Sequence, residues 1–209
     1  MTFEKIIKKA SNANHRRNRY ARIKAEGEKS KVFKIVLQNK IKPKKILEIG
    51  SSTGFVLENF RIKYNSKCYG IDTSKSAISE GKKLFKKINL THGMFENSKL
   101  KNFKYDIIIC GFFLFTLPPS KILKLFSEID SSLNDGGYVV IKDFYNKSNS
   151  FKIKDYRHEK KLKVYRWDYK KIFLSLPYYQ KIDIIKYYEP HKRTNEYLEV
   201  SLMKKINLF

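Results

Sequence analysis

The sequence predicts an α/β fold in which a mostly parallel sheet is covered by helices on both faces. The segments Lys45–Ile49 and Tyr105–Gly111 are short and almost continuously apolar, as expected for strands that are buried on both faces. Between the predicted strands, apolar residues recur at helical spacing, and strands that alternate with amphipathic helices are typical of parallel sheets. At 209 residues, the chain is long enough for one well-cored domain.

The individual elements follow from local patterns and from residues that begin or end helices. Thr73 or Ser74 can serve as the N-cap of a helix, and Pro43 ends the helical region before the first strand. In chain order, the sequence predicts helices within residues 3–10, 21–38, 55–60, 74–85, 119–133 and 167–174, and strands at 45–49, 67–72, 88–92, 105–111, 138–141, 179–188 and 196–203. The last two strands are expected to form an antiparallel hairpin.

A tight turn with two glycines, Gly50–Gly54, joins the first strand to the following helix. Because glycine has no Cβ, backbone N–H groups in such a turn can approach a ligand closely. Glu48 adds a carboxylate just before the turn. Asp72 ends the second strand about 20 residues further on, where an acid is placed to accept hydrogen bonds from a ribose diol. The pattern therefore predicts a loop that binds a nucleotide-type cofactor.

Two other interpretations of the turn remain open. Residues 50–54 also match the G-x-S-x-G nucleophile elbow of hydrolases, with Ser52 as the nucleophile. Asp143 or Asp183, together with His191, would then complete the catalytic triad. Alternatively, the turn only connects a strand to a helix. The dinucleotide fingerprint G-x-G-x-x-G is not met, and this disfavours a nicotinamide enzyme.

The motif Glu48-Ile-Gly-x-x-x-Gly54, taken with Asp72, resembles the first two motifs of class I S-adenosylmethionine-dependent methyltransferases. The resemblance covers about residues 44–209 and departs at Ser52, where many members of that family have glycine. It implies a Rossmann-like seven-stranded sheet, mostly parallel, that ends in an antiparallel hairpin. It also implies S-adenosylmethionine as the cofactor and methyl transfer as the reaction.

The same resemblance implies how the cofactor is held. In that family the acid before the turn and the turn itself hold the methionine end, and the acid that ends the second strand holds the ribose. Met94 stands where relatives often have an acid that binds adenine, so either Met94 packs against the ring or Glu96 supplies the polar contact. The expected cofactor-binding residues are Glu48, Gly50, Ser51, Ser52, Gly54, Asp72, Thr73, Met94, Phe95, Cys110 and Phe112.

Acceptor-binding residues are expected in an N-terminal basic cluster and in the region 143–167. The cluster His15–Tyr20 contains three arginines that could grip a phosphate or carboxylate, although it would also suit a solvated basic turn. A hydroxyl acceptor needs a base that titrates near neutral pH, for which His158 is the first candidate and Asp143 the alternative. The expected acceptor-binding residues are Arg16, Arg17, Arg19, Tyr20, Phe113, Tyr145 and Tyr156.

The net charge of +25 bears on the partner. The excess is greatest in residues 1–45, which hold 15 Lys and Arg against 3 Asp and Glu. Clustered cations favour nucleic acids, but a lysine-rich composition also results from an AT-rich genome. Residues 110–113 do not form the Asn/Asp-Pro-Pro-Tyr element expected for methylation of a base amine. We therefore expect a small or sugar-like acceptor that could be anionic, with RNA at the basic N-terminal face as the alternative.

Further features of the sequence limit the classes of protein to which it can belong. Cys68 and Cys110 lie inside predicted strands, and no cluster of His, Cys, Asp or Glu has metal-ligand spacing, so no bound metal is expected. The longest apolar run is too short to span a bilayer, and no secretory signal is recognised. We expect a cytoplasmic protein with a basic helical cap segment at residues 1–43 and a methyltransferase domain at 44–209. The sequence leaves the oligomeric state open.

Overall fold

A seven-stranded sheet forms the centre of the molecule, with strand order β3-β2-β1-β4-β5-β9-β8. The structure is a computed structural model that describes residues 5, 12, 29–145, 152–155, 163–188 and 197–207. The elements described are α1 (Lys31–Gln38), β1 (Lys45–Ile49), α2 (Phe55–Tyr64), β2 (Lys67–Asp72), α3 (Lys75–Leu84), β3 (Asn89–His92), β4 (Tyr105–Gly111), α4 (Pro119–Ser132), β5 (Leu133–Phe144), β6 (Lys152–Asp155), β7 (Lys163–Arg166), α5 (Lys170–Leu174), β8 (Tyr179–Tyr188) and β9 (Tyr197–Lys205).

Strands β1 to β5 run parallel to one another, whereas β9 is antiparallel to both β5 and β8. The predicted sheet, mostly parallel with a C-terminal antiparallel hairpin, is confirmed. Because β1 and β4 are neighbours at its centre, the carboxyl ends of both strands meet at one edge. Ligands of open α/β sheets bind at this edge, near the point where the strand order reverses.

Helices cover both faces of the sheet, as predicted. On one face α1, α2 and α3 bury Ile35, Phe60 and Ile78 against the sheet. On the other face α4 and α5 bury Ile129 and Phe173. Side chains of a strand point alternately to the two faces, which is why the continuous apolar run of β4 fits between two cores.

Three details differ from the sequence-based expectation. Strand β5 begins at Leu133, five residues earlier than predicted, because Leu133 pairs with Tyr105 across an irregularity in the ladder. The helix predicted over 167–174 is limited to α5 at Lys170–Leu174. The strands β6 and β7 pair in a separate antiparallel sheet that the sequence did not predict. The N-cap is confirmed as Ser74, whose Oγ accepts a hydrogen bond from the N–H of Ala77 at 3.2 Å.

The close approach of α3 to the turn after β1 gives a test of the fold. A Cβ on Gly81 would overlap the carbonyl oxygen of Thr53 and lie 2.5 Å from Leu90 Cδ1. We expect Gly81→Ala to lower the free energy of unfolding by about 1 to 3 kcal/mol, the usual cost of overpacking, as measured by urea denaturation. Gly136→Ala is the control, since a Cβ there meets nothing within 4 Å and carries only the strain of a φ of 73°. Equal losses in the two variants would contradict the packing described for α3.

Candidate active site

The turn after β1 has an unusual backbone conformation. Gly50, Ser52 and Gly54 have positive φ values of 76°, 51° and 89°. The N–H groups of Gly50 and Ser51 both donate to the carbonyl of Ile71, at 2.8 and 3.1 Å, and tie the turn to β2. Glycine adopts left-handed φ at little cost, whereas Ser52 does so only where the surroundings hold it. The turn is therefore fixed in shape by neighbouring β2.

Asp72 supplies the contact that holds Ser52. Its Oδ2 accepts a hydrogen bond from the N–H of Ser52 at 2.8 Å, and its Oδ1 accepts one from the N–H of Ser74 at 2.7 Å. The carboxylate therefore lies directly against the glycine turn and the start of α3. A carboxylate has about four acceptor positions, so one carboxylate can accept hydrogen bonds from several donors at once.

Glu48 lies in β1, two residues before the turn, and is almost fully buried, with 4% of its surface exposed. Its Oε2 has no hydrogen-bond partner among the residues that the structure describes. Burial raises the pKa of Glu48 to about 8, an effect that nearby Lys142 opposes and Asp72 reinforces. A buried carboxylate oxygen that lacks a partner is costly, which marks Glu48 as a position where a cationic group of a ligand would bind favourably.

Two glycines allow the ends of β1 and β4 and the Phe113 ring to pack closely beside Glu48. A Cβ on Gly111, at the end of β4, would lie 2.8 Å from the carbonyl oxygen of Gly50 and 3.2 Å from Glu48 Oε1. A Cβ on Gly50 would lie 2.8 Å from Cδ1 of Phe113, so the Phe113 ring packs directly against the turn. The ends of β1 and β4 thus form a cradle of backbone atoms bounded by Glu48 and Phe113.

Of the residues expected on the adenine side, Met94 and Thr73 are half-buried near Asp72. The N–H of Gly93, which precedes Met94, donates to the carbonyl of Asp72 at 2.9 Å. The alternative adenine contact, Glu96, is ion-paired with Lys121 at 3.2 Å.

Two expected cofactor-binding residues have side chains that are buried in the hydrophobic core. Phe95 is 3% exposed and packs in the hydrophobic core, and Cys110 is fully buried inside β4. Burial also raises the pKa of the Cys110 thiol well above its usual range. Any contact of these two residues with a cofactor would therefore use their backbone atoms.

Asp143 and Glu48 occupy opposite faces of the sheet. Asp143 lies two positions after Ile141, which faces α4, whereas Glu48 lies two positions after Ile46, which faces α1 to α3. The Asp143 carboxylate is 4% exposed and accepts hydrogen bonds from the N–H groups of Phe144 and Phe115, at 2.7 and 3.3 Å. Burial raises its pKa to about 7, against the opposing effects of these two bonds and of Arg166.

The structure places two further predicted acceptor residues and leaves the others outside its description. Phe113 packs on the turn, and Tyr145 donates its N–H to the carbonyl of Tyr197 at 2.9 Å while Lys186 Nζ lies 4.1 Å from its ring centroid. Those outside the described residues are His158, Arg16, Arg17, Arg19, Tyr20 and Tyr156, as well as His15 and His191.

The geometry does not assemble the alternative hydrolase triad around Ser52. Asp183 accepts hydrogen bonds from Gln38 and Asn39 at 2.6 and 2.7 Å. It lies in β8, four strands from β1 and therefore roughly 19 Å away at about 4.8 Å per strand. Asp143 is buried on the face opposite Glu48, as described above. Neither acid is placed to orient a histidine at Ser52.

The N-terminal segment contacts the candidate site at one described residue. Oδ1 of Asn12 accepts hydrogen bonds from Ser74 Oγ at 3.0 Å and from the N–H of Ser76 at 3.3 Å. Ser74 is also the residue whose N–H binds Asp72. Asn12 is thus fixed at the start of α3, next to the acid that holds the turn.

Sequence reasoning did not single out an aromatic and cationic cluster at the ends of β4 and β5. Phe115 and Phe144 have ring centroids 5.1 Å apart, and each lies 5.0 Å from that of Phe112. Cζ of Arg166 lies 4.0 Å from the centroid of Phe144, and Lys142 Nζ lies 5.8 Å from that of Phe112. Phe144 and Arg166 are 22 positions apart in the sequence, and no local motif connects them.

The comparisons with known proteins agree with this geometry. The family model of the methyltransferase domain matches residues 14–191, which is most of the chain. The chain therefore belongs to the methyltransferase-domain family. The expected enzyme class, a methyltransferase, is confirmed. A search of curated proteins finds no match of comparable significance.

Solved structures share the fold at low sequence identity. The 1,6-didemethyltoxoflavin-N1-methyltransferase of Burkholderia thailandensis, with bound 1,6-didemethyltoxoflavin and S-adenosylhomocysteine, has a TM-score of 0.73 and 10% identity over 97% of this chain and 88% of its own. An S-adenosylmethionine-dependent methyltransferase of Clostridium acetobutylicum has a TM-score of 0.64 and 17% identity, and the match covers 93% of this chain and 98% of that protein. The plantazolicin methyltransferase BpumL, in complex with a monoazolic desmethylplantazolicin analogue and S-adenosylhomocysteine, has a TM-score of 0.60 and 17% identity. The match covers 95% of this chain and 90% of that protein.

The residues at the carboxyl edge of β1 and β4 fit the methyl donor. Its methionine end carries an ammonium group that suits the buried oxygen of Glu48, which has no hydrogen-bond partner among the described residues. Its ribose diol suits a carboxylate such as that of Asp72, which lies against the turn. None of the described helices is long and apolar enough to cross a membrane. Within the described ranges, no group of three His, Cys, Asp or Glu side chains is arranged to hold a metal ion.

The raised pKa of Glu48 gives a test by stability. A carboxyl whose pKa is about 8 in the folded chain and 4.5 when exposed to water stabilises the fold fully below pH 4.5 and loses that contribution as pH rises through 8. We therefore compare the unfolding free energy of the wild-type protein without ligand with that of Glu48→Gln. The difference, wild type minus variant, should fall by about 2 to 4 kcal/mol between pH 5 and pH 9. Chemical denaturation across this range measures it. A difference that is independent of pH would contradict the burial of an uncompensated Glu48 carboxyl.

Proposed function

We propose that the protein transfers a methyl group from S-adenosylmethionine to an oxygen or nitrogen of a small-molecule acceptor, and that Glu48, the turn Gly50–Gly54 and Asp72 hold the donor. The observation that carries this proposal is the 2.8 Å hydrogen bond between the Asp72 carboxylate and the N–H of Ser52. It brings the predicted ribose-binding acid and the predicted methionine-binding turn to one location, next to the close approach of Gly50 and Gly111 at the ends of β1 and β4.

The protein's contribution to the reaction is mainly one of position. The donor supplies a methyl group that is already activated, so the chain has to orient the reactants and exclude water. Asp72 and the turn fix the nucleoside end, and Glu48 attracts the ammonium group at the other end. Phe113, whose ring packs on Gly50, limits the space in which water could reach the cradle.

One observation supports a small acceptor over RNA. Two solved structures with the same fold are complexes with 1,6-didemethyltoxoflavin and with a monoazolic desmethylplantazolicin analogue. The roles of Arg16, Arg17, Arg19 and Tyr20 in holding an anionic acceptor remain predictions.

The identity of the base also remains a proposal. His158, the first candidate, lies outside the described residues. Asp143 has a pKa near neutrality, which suits a general base, but its oxygens are buried and each accepts a backbone hydrogen bond. Asp143 would therefore need the segment around Phe115 and Phe144 to open before it could reach an acceptor.

The role of Asp72 can be measured directly. We expect Asp72→Asn to weaken the binding of S-adenosylhomocysteine by about 1 to 3 kcal/mol, because a charge-assisted hydrogen bond to the ribose is lost. Isothermal titration calorimetry measures the change. Asp106→Asn is a matched control, since Asp106 also accepts two backbone hydrogen bonds, from Lys44 and Lys45 at 2.8 and 2.9 Å, but lies at the opposite edge of the sheet. Unchanged affinity in Asp72→Asn would contradict the ribose role.

The role of Glu48 predicts a pH dependence of binding that is opposite in sign to that of stability. The donor's ammonium group favours the ionised carboxylate, and Glu48 is mostly protonated below its pKa of about 8. We expect the affinity for S-adenosylhomocysteine to rise by up to about tenfold per pH unit between pH 6 and 8 and then to level off, with one proton released on binding. Glu48→Gln should bind more weakly at pH 8 and show no such rise. A wild-type affinity that is constant over this range would exclude the proposed contact.

A further inference from the structure

An aromatic cluster lies at the edge of the sheet beside the proposed donor site. Phe112 directly follows Gly111, the residue that forms one side of the cradle, and its N–H donates to the carbonyl of Lys142 at 3.1 Å. Phe144 ends β5, the strand next to β4. The rings therefore stand at the carboxyl ends of two adjacent strands, β4 and β5, which lie one and two strands away from β1.

The cluster is only partly enclosed by the protein. Phe115 is 8% exposed and packs against the other two rings. Phe112 and Phe144 are half-buried, so part of the surface of each is exposed to solvent. The angles between the three ring planes are 53°, 56° and 72°, so the rings form a shallow corner. A flat ring of a ligand can pack against such a corner in an offset or edge-to-face arrangement.

Two cationic side chains flank these rings. The Arg166 guanidinium carbon lies 4.0 Å from the centroid of Phe144, which is stacking distance, and Lys142 Nζ lies 5.8 Å from the centroid of Phe112. Asp143 interacts with Arg166, and Glu48 interacts with Lys142. Burial raises the pKa of these two acids to about 7 and about 8, so neither carboxyl is fully ionised at neutral pH.

We propose that Phe112 and Phe144, flanked by Arg166 and Lys142, bind a planar aromatic or heteroaromatic acceptor whose nucleophilic group is an acidic O–H or N–H. This inference rests on the proposed function and specifies its substrate class. The aromatic corner binds the flat ring, and the two cations stabilise the anion that the ring forms when it loses its proton. Phe112, Phe144 and Arg166 are then specificity-determining residues for the acceptor.

The arrangement also accounts for methyl transfer without a dedicated base. The acidic O–H or N–H of the acceptor releases its proton to solvent, because the anion left behind is stabilised by Arg166 and Lys142. The lone pair of that anion forms the new bond to the methyl carbon, the carbon–sulfur bond of the donor breaks, and its electron pair remains on sulfur. An acceptor without an acidic group would gain nothing from the two cations.

A chromogenic probe tests the inference without requiring turnover. The probe is 4-nitro-1-naphthol, a planar phenol whose ionisation is visible by absorption, and the control ligand is its methyl ether, which cannot ionise. We expect the wild-type protein to lower the probe's pKa by about one unit on binding, which corresponds to about tenfold tighter binding of the anion than of the neutral form. The naphtholate should also bind about tenfold more tightly than the methyl ether.

Variants separate the two parts of the proposed acceptor platform, which are the rings of Phe112 and Phe144 and the cations of Arg166 and Lys142. Arg166→Gln should abolish most of the probe's pKa shift and weaken naphtholate binding about tenfold, while Arg166→Lys should keep part of both. Phe144→Leu should weaken naphthol and methyl ether alike by several fold, and Phe144→Tyr should retain binding. The matched control is Arg61→Gln, whose guanidinium is ion-paired with Glu58 on α2, and it should behave as the wild type.

The outcomes distinguish this inference from the proposed function. The probe is titrated with and without S-adenosylhomocysteine, whose own binding is measured by calorimetry. If S-adenosylhomocysteine binds but the naphtholate binds no better than the methyl ether, or if the probe's pKa shift is as large in Arg166→Gln as in the wild type, the acceptor platform is wrong and the proposed function stands. If the probe's pKa shifts as expected but S-adenosylhomocysteine does not bind, the platform is supported and the proposed function is wrong.

Discussion

The carboxylate of Asp72 is the interaction on which the candidate site depends. With one oxygen on the N–H of Ser52 and the other on that of Ser74, it joins the glycine turn, the end of β2 and the start of α3. The left-handed conformation of Ser52 costs on the order of 1 kcal/mol, which a charge-assisted hydrogen bond can offset. The start of α3 also favours a nearby negative charge through its helix dipole. The turn is therefore held in its shape by the same group that is proposed to bind the ribose.

Charge is distributed around the site in a way that the total of +25 does not suggest. Two carboxyl groups, Glu48 and Asp143, are buried on opposite faces of the sheet, and burial raises the pKa of each towards or above neutrality. Two cations, Lys142 and Arg166, lie against aromatic rings at the ends of β4 and β5. Sites that bind a cationic donor group and an anionic acceptor can therefore lie next to each other, at the carboxyl ends of neighbouring strands.

The sequence allowed most of the fold to be predicted, because that information is local. The apolar runs of β1 and β4, the two-glycine turn and the acid at the end of β2 are each visible within a few residues, and the structure brings the turn and Asp72 together. The cluster of Phe112, Phe144 and Arg166 could not be predicted, since its members come from separate strands and meet only through tertiary packing. The side-chain directions of Phe95 and Cys110 also escaped prediction, because a motif fixes the position of a residue without fixing the face to which it points.

The most direct test of this account is a crystal structure of the protein with bound S-adenosylhomocysteine. The account predicts that the ribose hydroxyls lie within hydrogen-bond distance of the Asp72 carboxylate, that the amino acid end passes over Gly50 beside Gly111, and that its ammonium group approaches Glu48. A nucleoside bound at any place remote from Asp72, or a Glu48 carboxyl that remains without a partner in the complex, would contradict it.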